Sequence, residues 1–366
     1  MNAAMLIPAY KPDEKLISYV ESLAKAGFKK IIVVDDGGGE AFAPIFEEVK
    51  KTPGTVVLTH EVNKGKGRAL KTGLAYYLEN NEGFDGVITG DADGQHTLKD
   101  TLKVMRIMAK NKKSLILGSR NFDEEGIPFR SRFGNKMTTV VFRIFHGRTI
   151  GDTQTGLRGM PNDIIPYFLD IDGERYEYEM NMLMECARLK LDIIETPIKT
   201  VYIDDNSSSH FNAVRDSARI YFLLTKTFLK YITSSLISYI VDLLVFRIMI
   251  AILPDADKSN IGGWFLKAFA TAPARIISST VNFLINKLLV FKKDGDRAKS
   301  AFRFVVLAVG IWALSTTLVW FICDFVFMHK LSDNMQMLVK MIVDTALVFV
   351  TYTLQRIWVF KKDDEK

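Results

Sequence analysis

Cysteine is nearly absent from this 366-residue chain: there are 2, Cys186 and Cys323, and neither has a neighbouring Cys or His at metal-ligand spacing. A disulfide framework and a zinc site are therefore not indicated. The opening residues, Met1-Asn2-Ala3-Ala4-Met5-Leu6, lack the charged segment and long apolar core of a signal peptide, so the first part of the chain is expected to stay in the cytoplasm. A heavy excess of one charge is also missing. The formal net charge is only +6, and Lys and Arg gather in one helical segment and beside apolar stretches. Anionic lipid, rather than nucleic acid, is the partner that placement favours.

Composition divides the chain near Thr225, giving an expected first domain of residues 1–225 and a second of 226–366. In the first, apolar runs near residues 3–8, 30–35, 55–59, 85–90 and 114–118 alternate with amphipathic stretches. That alternation predicts an α/β fold, a parallel sheet covered by helices on both faces, with ligands beyond the carboxyl ends of its strands. Asp91-Ala92-Asp93-Gly94-Gln95-His96 follows the run Val87-Ile88-Thr89 and so falls at such an end. Two carboxylates one residue apart there can hold a divalent cation against a diphosphate. Leu6-Ile7-Pro8-Ala9-Tyr10, Ile31-Ile32-Val33-Val34-Asp35-Asp36-Gly37 and Gly118-Ser119-Arg120 end other strands, and Asn63-Lys64-Gly65-Lys66-Gly67 opens a helix. Gly65-x-Gly67 lacks the third glycine of a dinucleotide fingerprint and lies outside the first strand-helix unit, which argues against a Rossmann oxidoreductase.

Phe129 to Arg148 reads as a basic amphipathic helix, with Arg132, Lys136 and Arg143 on one face and Val140, Val141, Ile144 and Phe145 on another. Such a helix suits a membrane interface, and a surface helix packed on the sheet is the alternative. Next come the loop Asp152-Thr153-Gln154-Thr155-Gly156-Leu157-Arg158-Gly159 entering a short strand, a helix around Glu177 to Leu189, a strand from Thr196 to Tyr202, and a polar loop from Asn206 to Phe211.

Together these motifs resemble the family 2 glycosyltransferases, in the branch of dolichyl-phosphate mannose synthase and the polyprenyl-phosphate transferases. The resemblance implies a GT-A-type nucleotide-sugar-binding sheet. It places Asp91, Asp93 and Gln95 on the metal and donor-phosphate motif, with Mg²⁺ or Mn²⁺ as the metal. Pro8, Tyr10, Val34 and Asp36 fall on the base pocket of a UDP- or GDP-linked sugar, with Lys66 and His210 also on the donor side. Asp36, if ionised, could accept a hydrogen bond from a ring N–H of either base. For the acceptor phosphate, Arg120 matches clearly, Arg132 is preferred to Arg130 within Arg130-Ser131-Arg132-Phe133-Gly134-Asn135-Lys136, and Asn135 stands where Ser is expected. Asp91, Asp93, Arg120 and Arg132 are the expected catalytic set. A processive synthase is disfavoured because the soluble half lacks Gln-x-x-Arg-Trp. A transferase acting on a glycan or wall polymer stays open. So does a lipid-sugar transporter with a degenerate transferase domain, although the intact Asp91, Asp93, Gln95 and Arg120 weigh against degeneracy.

The second half contains apolar spans near 231–253, 263–291, 302–327 and 336–360, each near the ~20 residues that cross a bilayer. Ten Lys and Arg, from Lys226 to Lys366, flank one side, against Lys258 and Lys330 on the other, so both termini are expected in the cytoplasm of a multi-pass cell-membrane protein. Residues 282–294 resemble 351–363 at an offset of 69, which predicts two helical hairpins of the same orientation. This pattern resembles the GtrA-like membrane proteins, which implies translocation of a lipid-linked sugar for cell-surface polysaccharide synthesis. Asp242, Arg275 and Asp344 fall near mid-span, where an isolated charge costs about 2.5–3.5 kcal/mol on insertion scales. With Asn282 and Asn286 they outline either a polar path for a headgroup or a set of interhelical bonds that fix packing. Association into a homo-oligomer is left open.

Overall fold

The computed structural model describes residues 2–124, 127, 129–199, 213–252, 260–291, 296–327 and 333–360. It divides into two units, Met1–Leu224 and Thr225–Lys366.

The first unit is built on seven strands: β1 (Ala4–Ala9), β2 (Ile31–Asp35), β3 (Thr55–Thr59), β4 (Gly86–Thr89), β5 (Ser114–Arg120), β6 (Arg158–Pro161) and β7 (Asp192–Ile198), in the order β3-β2-β1-β4-β6-β5-β7. Every residue of β1, β2 and β4 is buried, as expected of central strands covered on both faces, which read as continuous apolar runs. The sheet is mixed rather than wholly parallel, because β6 runs antiparallel to both β4 and β5. Its four residues, Arg-Gly-Met-Pro, carry no apolar run to announce a strand. The last strand lies at Asp192–Ile198 instead of 196–202, and positions 200–202 are outside the described residues. Among the described residues it pairs with β5 alone, so Pro197 sits on an edge, where a missing N–H is tolerated.

Among the described residues, the helices that pack on this sheet include α1 (Lys15–Lys25), α2 (Ala43–Lys50), α3 (Lys66–Glu79), α4 (Leu98–Lys110), α5 (Phe129–His146), α6 (Pro166–Leu169) and α7 (Glu177–Leu189). Alternate residues of β1 enter opposite cores. Ala4 and Leu6 pack with Leu70, Leu74 and Tyr178 from α3 and α7, while Met5 and Ile7 pack with Leu16, Val20 and Val104 from α1 and α4. The α3 backbone approaches β1 so closely that a Cβ on Gly73 would lie 2.1 Å from Leu6 Cδ1. Thr97 caps α4 by accepting from the Asp100 N–H at 3.2 Å, which confines residues 91–96 between β4 and α4.

The second unit is helical, with α8 (Ala213–Ile252) from Thr225 onward, α9 (Asn260–Ile285), α10 (Arg297–Trp320) and α11 (Asp333–Leu354). The last three each run into a wide turn of π type, at Asn286–Val290, Phe321–Val326 and Gln355–Val359. Among the described residues, Ile220–Met249, Arg297–Trp320 and Leu338–Val359 are long and apolar enough to cross a bilayer. The internal repeat is realised as a reciprocal packing. Phe283 meets Phe360 at 5.7 Å and Phe291 meets Tyr352 at 5.8 Å, and since 352 − 283 and 360 − 291 both equal 69, each contact is the other with the repeats exchanged. Phe291 and Phe360 stack on each other at 5.2 Å. Such exchange marks a local two-fold relation between the two hairpins.

Candidate active site

A cavity of about 790 Å³ opens at the carboxyl ends of β1, β2 and β4, lined by residues 8–13, Asp36, Asn63, Gly65, Lys66, residues 91–93, Arg175 and Tyr176. Of the residues expected at a donor site, Pro8, Tyr10, Asp36, Lys66, Asp91 and Asp93 line it. Val34 does not, being fully buried in the core with Leu6 and Leu70. Gln95 lies beside the pair through its backbone, whose N–H donates to Asp93 Oδ1 at 3.0 Å. His210 falls outside the described residues.

Lys66 is the hub of this cavity. Its Nζ lies 2.6 Å from Asp91 Oδ1 and 3.0 Å from Glu179 Oε2, and His96 Nε2 is 3.3 Å from Asp91 Oδ2. Burial alone would raise the Asp91 carboxyl, but the Lys66 ammonium and the His96 ring overcome it and hold the group well below the usual carboxylate range. Burial would lower Lys66 in the same way, and the two carboxylates instead raise it. Asp93 is raised, by burial first and then by the Asp91 charge. A divalent cation fits this pair, since it would relieve that repulsion and both ligands are hard oxygens. Among the described residues no three His, Cys, Asp or Glu side chains form a complete cage, so donor oxygens and water would have to fill the remaining positions.

Asp36 is occupied by its own chain. Its Oδ1 accepts from His60 Nδ1 at 2.7 Å and from the Lys64 N–H at 2.9 Å, and its Oδ2 accepts from the Gly65 N–H at 2.8 Å. The carboxylate thus ties β2 to the loop that opens α3. The two glycines of that loop serve a close approach within the protein: a Cβ on Gly65 would lie 2.4 Å from the Glu174 carbonyl oxygen, and one on Gly67 2.5 Å from Tyr178 Cβ. Gly65 also has φ +103°, a conformation L side chains rarely adopt. This contact brings α7 against the start of α3 and sets Glu179 beside Lys66.

A second cluster forms at the end of β5. Arg120 donates from Nε and Nη2 to the two oxygens of Asp152, at 2.7 and 3.1 Å, and Asp152 is fully buried. Asn135 is buried too; its Nδ2 donates to the Gly151 carbonyl at 2.5 Å and its Oδ1 accepts from the Thr153 N–H at 3.3 Å, so it fastens α5 to the loop that carries Asp152. Arg132 donates to the Glu124 carbonyl at 2.9 Å. Outward, Phe129, Phe133, Met137, Val140 and Ile144 make an exposed apolar stripe along α5, with Phe129 77 % and Val140 51 % exposed.

Residues 5–169 match the family described as glycosyl transferase family 2, and residues 230–360 match the GtrA/DPMS transmembrane domain. UDP-N-acetylglucosamine--dolichyl-phosphate N-acetylglucosaminyltransferase of Methanococcus voltae is 31 % identical over 219 residues, covering 55 % of this chain and 86 % of that protein. The chain belongs to glycosyl transferase family 2. Undecaprenyl-phosphate mannosyltransferase of Micrococcus luteus is 26 % identical over 208 residues, 55 % of this chain and 84 % of that one. Among solved structures, glucosyl-3-phosphoglycerate synthase of Mycobacterium tuberculosis aligns at TM-score 0.44 and 15 % identity, over 62 % of this chain and 78 % of that chain. This family 2 glycosyltransferase is a membrane protein whose mixed sheet is of GT-A type.

In the glycosyltransferase's helical unit, Asn286 Nδ2 donates to Asn282 Oδ1 and to Gln355 Oε1, both at 3.0 Å. Asn286 and Gln355 are buried, and they are repeat equivalents. Arg275 lies apart from this seam, 3.7 Å from Asp242 and 70 % exposed, while Asp344 accepts from Ser315 at 2.6 Å and Lys340 at 2.8 Å. Arg275 thus pairs with Asp242 and not with Asp344. The sequence did not single out Glu179 or His60 as site residues, and it marked Asp152 only as the first residue of the 152–159 loop. A helix opening on two acids, Glu177 and Glu179, is the one local signal, and it does not say what they meet.

Proposed function

We propose that this enzyme transfers a sugar, with inversion, from a UDP- or GDP-linked donor to the phosphate of a polyprenol at the cytoplasmic face of the cell membrane, with undecaprenyl phosphate as the first acceptor to test. One observation carries the choice of acceptor. Arg120, fixed at the end of β5 by Asp152, is followed along the chain by α5, whose exposed face carries an apolar stripe flanked by Arg132, Lys136 and Arg143. An acceptor with an anionic head and a hydrocarbon tail matches both. The relatives' names, which specify dolichyl and undecaprenyl phosphates, point the same way.

A phosphomonoester is mostly dianionic near pH 7, its second pKa being about 6, so no side chain need remove a proton. Arg120, held in place by Asp152, and Arg132 would orient that dianion. Its oxygen forms a bond to the anomeric carbon from the face opposite the departing diphosphate, whose own bond to that carbon breaks. Asp91 and Asp93 would hold Mg²⁺ or Mn²⁺, which supplies Lewis-acid neutralisation of the leaving group. The helical unit, with both termini cytoplasmic and the 254–262 and 328–335 loops outside, would pass the lipid-linked sugar across for surface polysaccharide synthesis. The test incubates purified enzyme with undecaprenyl phosphate and a panel of labelled nucleotide sugars. One label should become lipid-extractable; label found only in a glycan or wall polymer would move the acceptor to that class.

A further inference from the structure

The donor cavity contains a cation of its own. The Lys66 ammonium bridges Asp91 and Glu179, with side chains only 18 % and 9 % exposed for Lys66 and Glu179. Asp91 also meets His96 and Gly156, where a Cβ would lie 2.3 Å from Oδ2, and 28 % of its side chain faces the open cavity. Both Asp91 oxygens therefore have partners already. An ion that binds Asp91 competes with the ammonium for its charge, and an ion arriving alone also meets the ammonium's repulsion. A diphosphate arriving with the ion changes this, because it offers the ammonium a new anionic partner.

We propose that Lys66 is an exchangeable internal cation and that Glu179 is the positioning residue that retains it. As metal and nucleoside diphosphate bind together, Lys66 leaves Asp91 for a diphosphate oxygen while staying on Glu179. Glu179 is built for a fixed role. Its backbone carbonyl accepts from Nη1 of the buried Arg158 at 2.7 Å, and the glycine contact between α3 and α7 sets its height beside Lys66. Metal and nucleotide binding become mutually dependent as a result. The inference rests on Asp91 and Asp93 holding the metal.

The test measures free Mn²⁺ by electron paramagnetic resonance over the full-length protein in detergent, alone and with UDP or GDP. Wild type should bind Mn²⁺ weakly alone and at least about tenfold more tightly with the matching nucleotide. Lys66→Gln should raise nucleotide-free affinity by about tenfold and lose most of the nucleotide's enhancement. Glu179→Gln, which leaves the ammonium wholly to Asp91, should lower nucleotide-free affinity, and that effect should vanish in the Lys66→Gln background. A merely structural Glu179 would act equally in both backgrounds. Thermal midpoints confirm folding; if Lys66→Gln does not fold, Glu179→Gln alone decides, and unchanged affinity overturns the proposal. Unaltered nucleotide-free affinity in folded Lys66→Gln overturns it while leaving the metal reading intact. Absence of Mn²⁺ binding under every condition overturns both.

Discussion

Replacing Gly156 by alanine tests whether the Asp91 carboxylate must stay where it is. The added Cβ would lie 2.3 Å from Asp91 Oδ2 and 2.7 Å from its Cγ, where ordinary contact begins at 3.4 Å. The loop cannot easily retreat, because the buried Thr89 hydroxyl donates to the Gly156 carbonyl at 2.8 Å. The carboxylate must therefore swing away by about 1 Å, the excess of contact distance over available space. Because the moving atoms end a side chain, the stability cost should stay within the usual overpacking range of about 1–3 kcal/mol. Activity should suffer more. A misplacement of about 1 Å in a positioning contact costs on the order of 100-fold, equivalent to about 2.7 kcal/mol of barrier. The assay is formation of lipid-extractable label by Gly156→Ala protein, with its circular-dichroism melting curve alongside. Near-wild-type turnover in a folded variant would refute the placement of Asp91 in the chemistry.

Asp93→Asn should remove most turnover while preserving the melting curve, since a neutral oxygen replaces a charged metal ligand; chelator-insensitive wild-type activity would oppose this. Phe133→Ser with Ile144→Ser on α5 should raise KM for a long-chain polyprenyl phosphate far more than for a short-chain analogue, leaving KM for the nucleotide sugar unchanged; equal effects on both lipids would remove the stripe from acceptor handling. Burial pushes the Cys186 thiol up to about 12, so in Cys323→Ser protein it should remain protonated and unreactive to a thiol reagent at pH 8 until unfolding; rapid native labelling would contradict its burial. Asn286→Leu should destabilise the helical unit by about 1–3 kcal/mol by leaving the Gln355 amide unpaired, and Gln355→Leu added to it should recover part of that loss; additive losses would mean that the two amides do not act as a pair.

The strands β1 to β5 were legible as runs of apolar residues, and those of β1, β2 and β4, buried throughout, end where the ligand cavity begins. Asp91 and Asp93 could be placed for the same reason, whereas Lys66, which opens α3, was placed by the family resemblance. β6 was not, since its position between β4 and β5 is decided by pairing with distant strands and its own residues are polar, glycine, methionine and proline. Glu179 was silent because its meaning depends on Lys66, more than a hundred residues away, arriving on another helix. Asp36 could be placed at the cavity, but its acceptor sites are filled by His60 and the loop amides, a pairing of β2 with the end of β3 that no local pattern encodes. Asn135 looked like an imperfect serine. It donates to Gly151 from one side-chain atom and accepts from Thr153 on another, a division that the single hydroxyl oxygen of serine does not offer.

The seam of the helical unit joins like to like: amide to amide at Asn286 and Gln355, ring to ring at Phe291 and Phe360. Mid-span, the same numbering places Arg275 opposite Asp344 in the alignment of the repeats, 344 − 275 being 69. A duplicated backbone thus bears charges of opposite sign at matching positions. A chimera with two first hairpins could retain the seam, yet it would carry two cations where the natural chain has one of each sign. The halves are alike where they hold each other and distinct where they carry charge, which gives an otherwise symmetric bundle a direction within the plane of the bilayer.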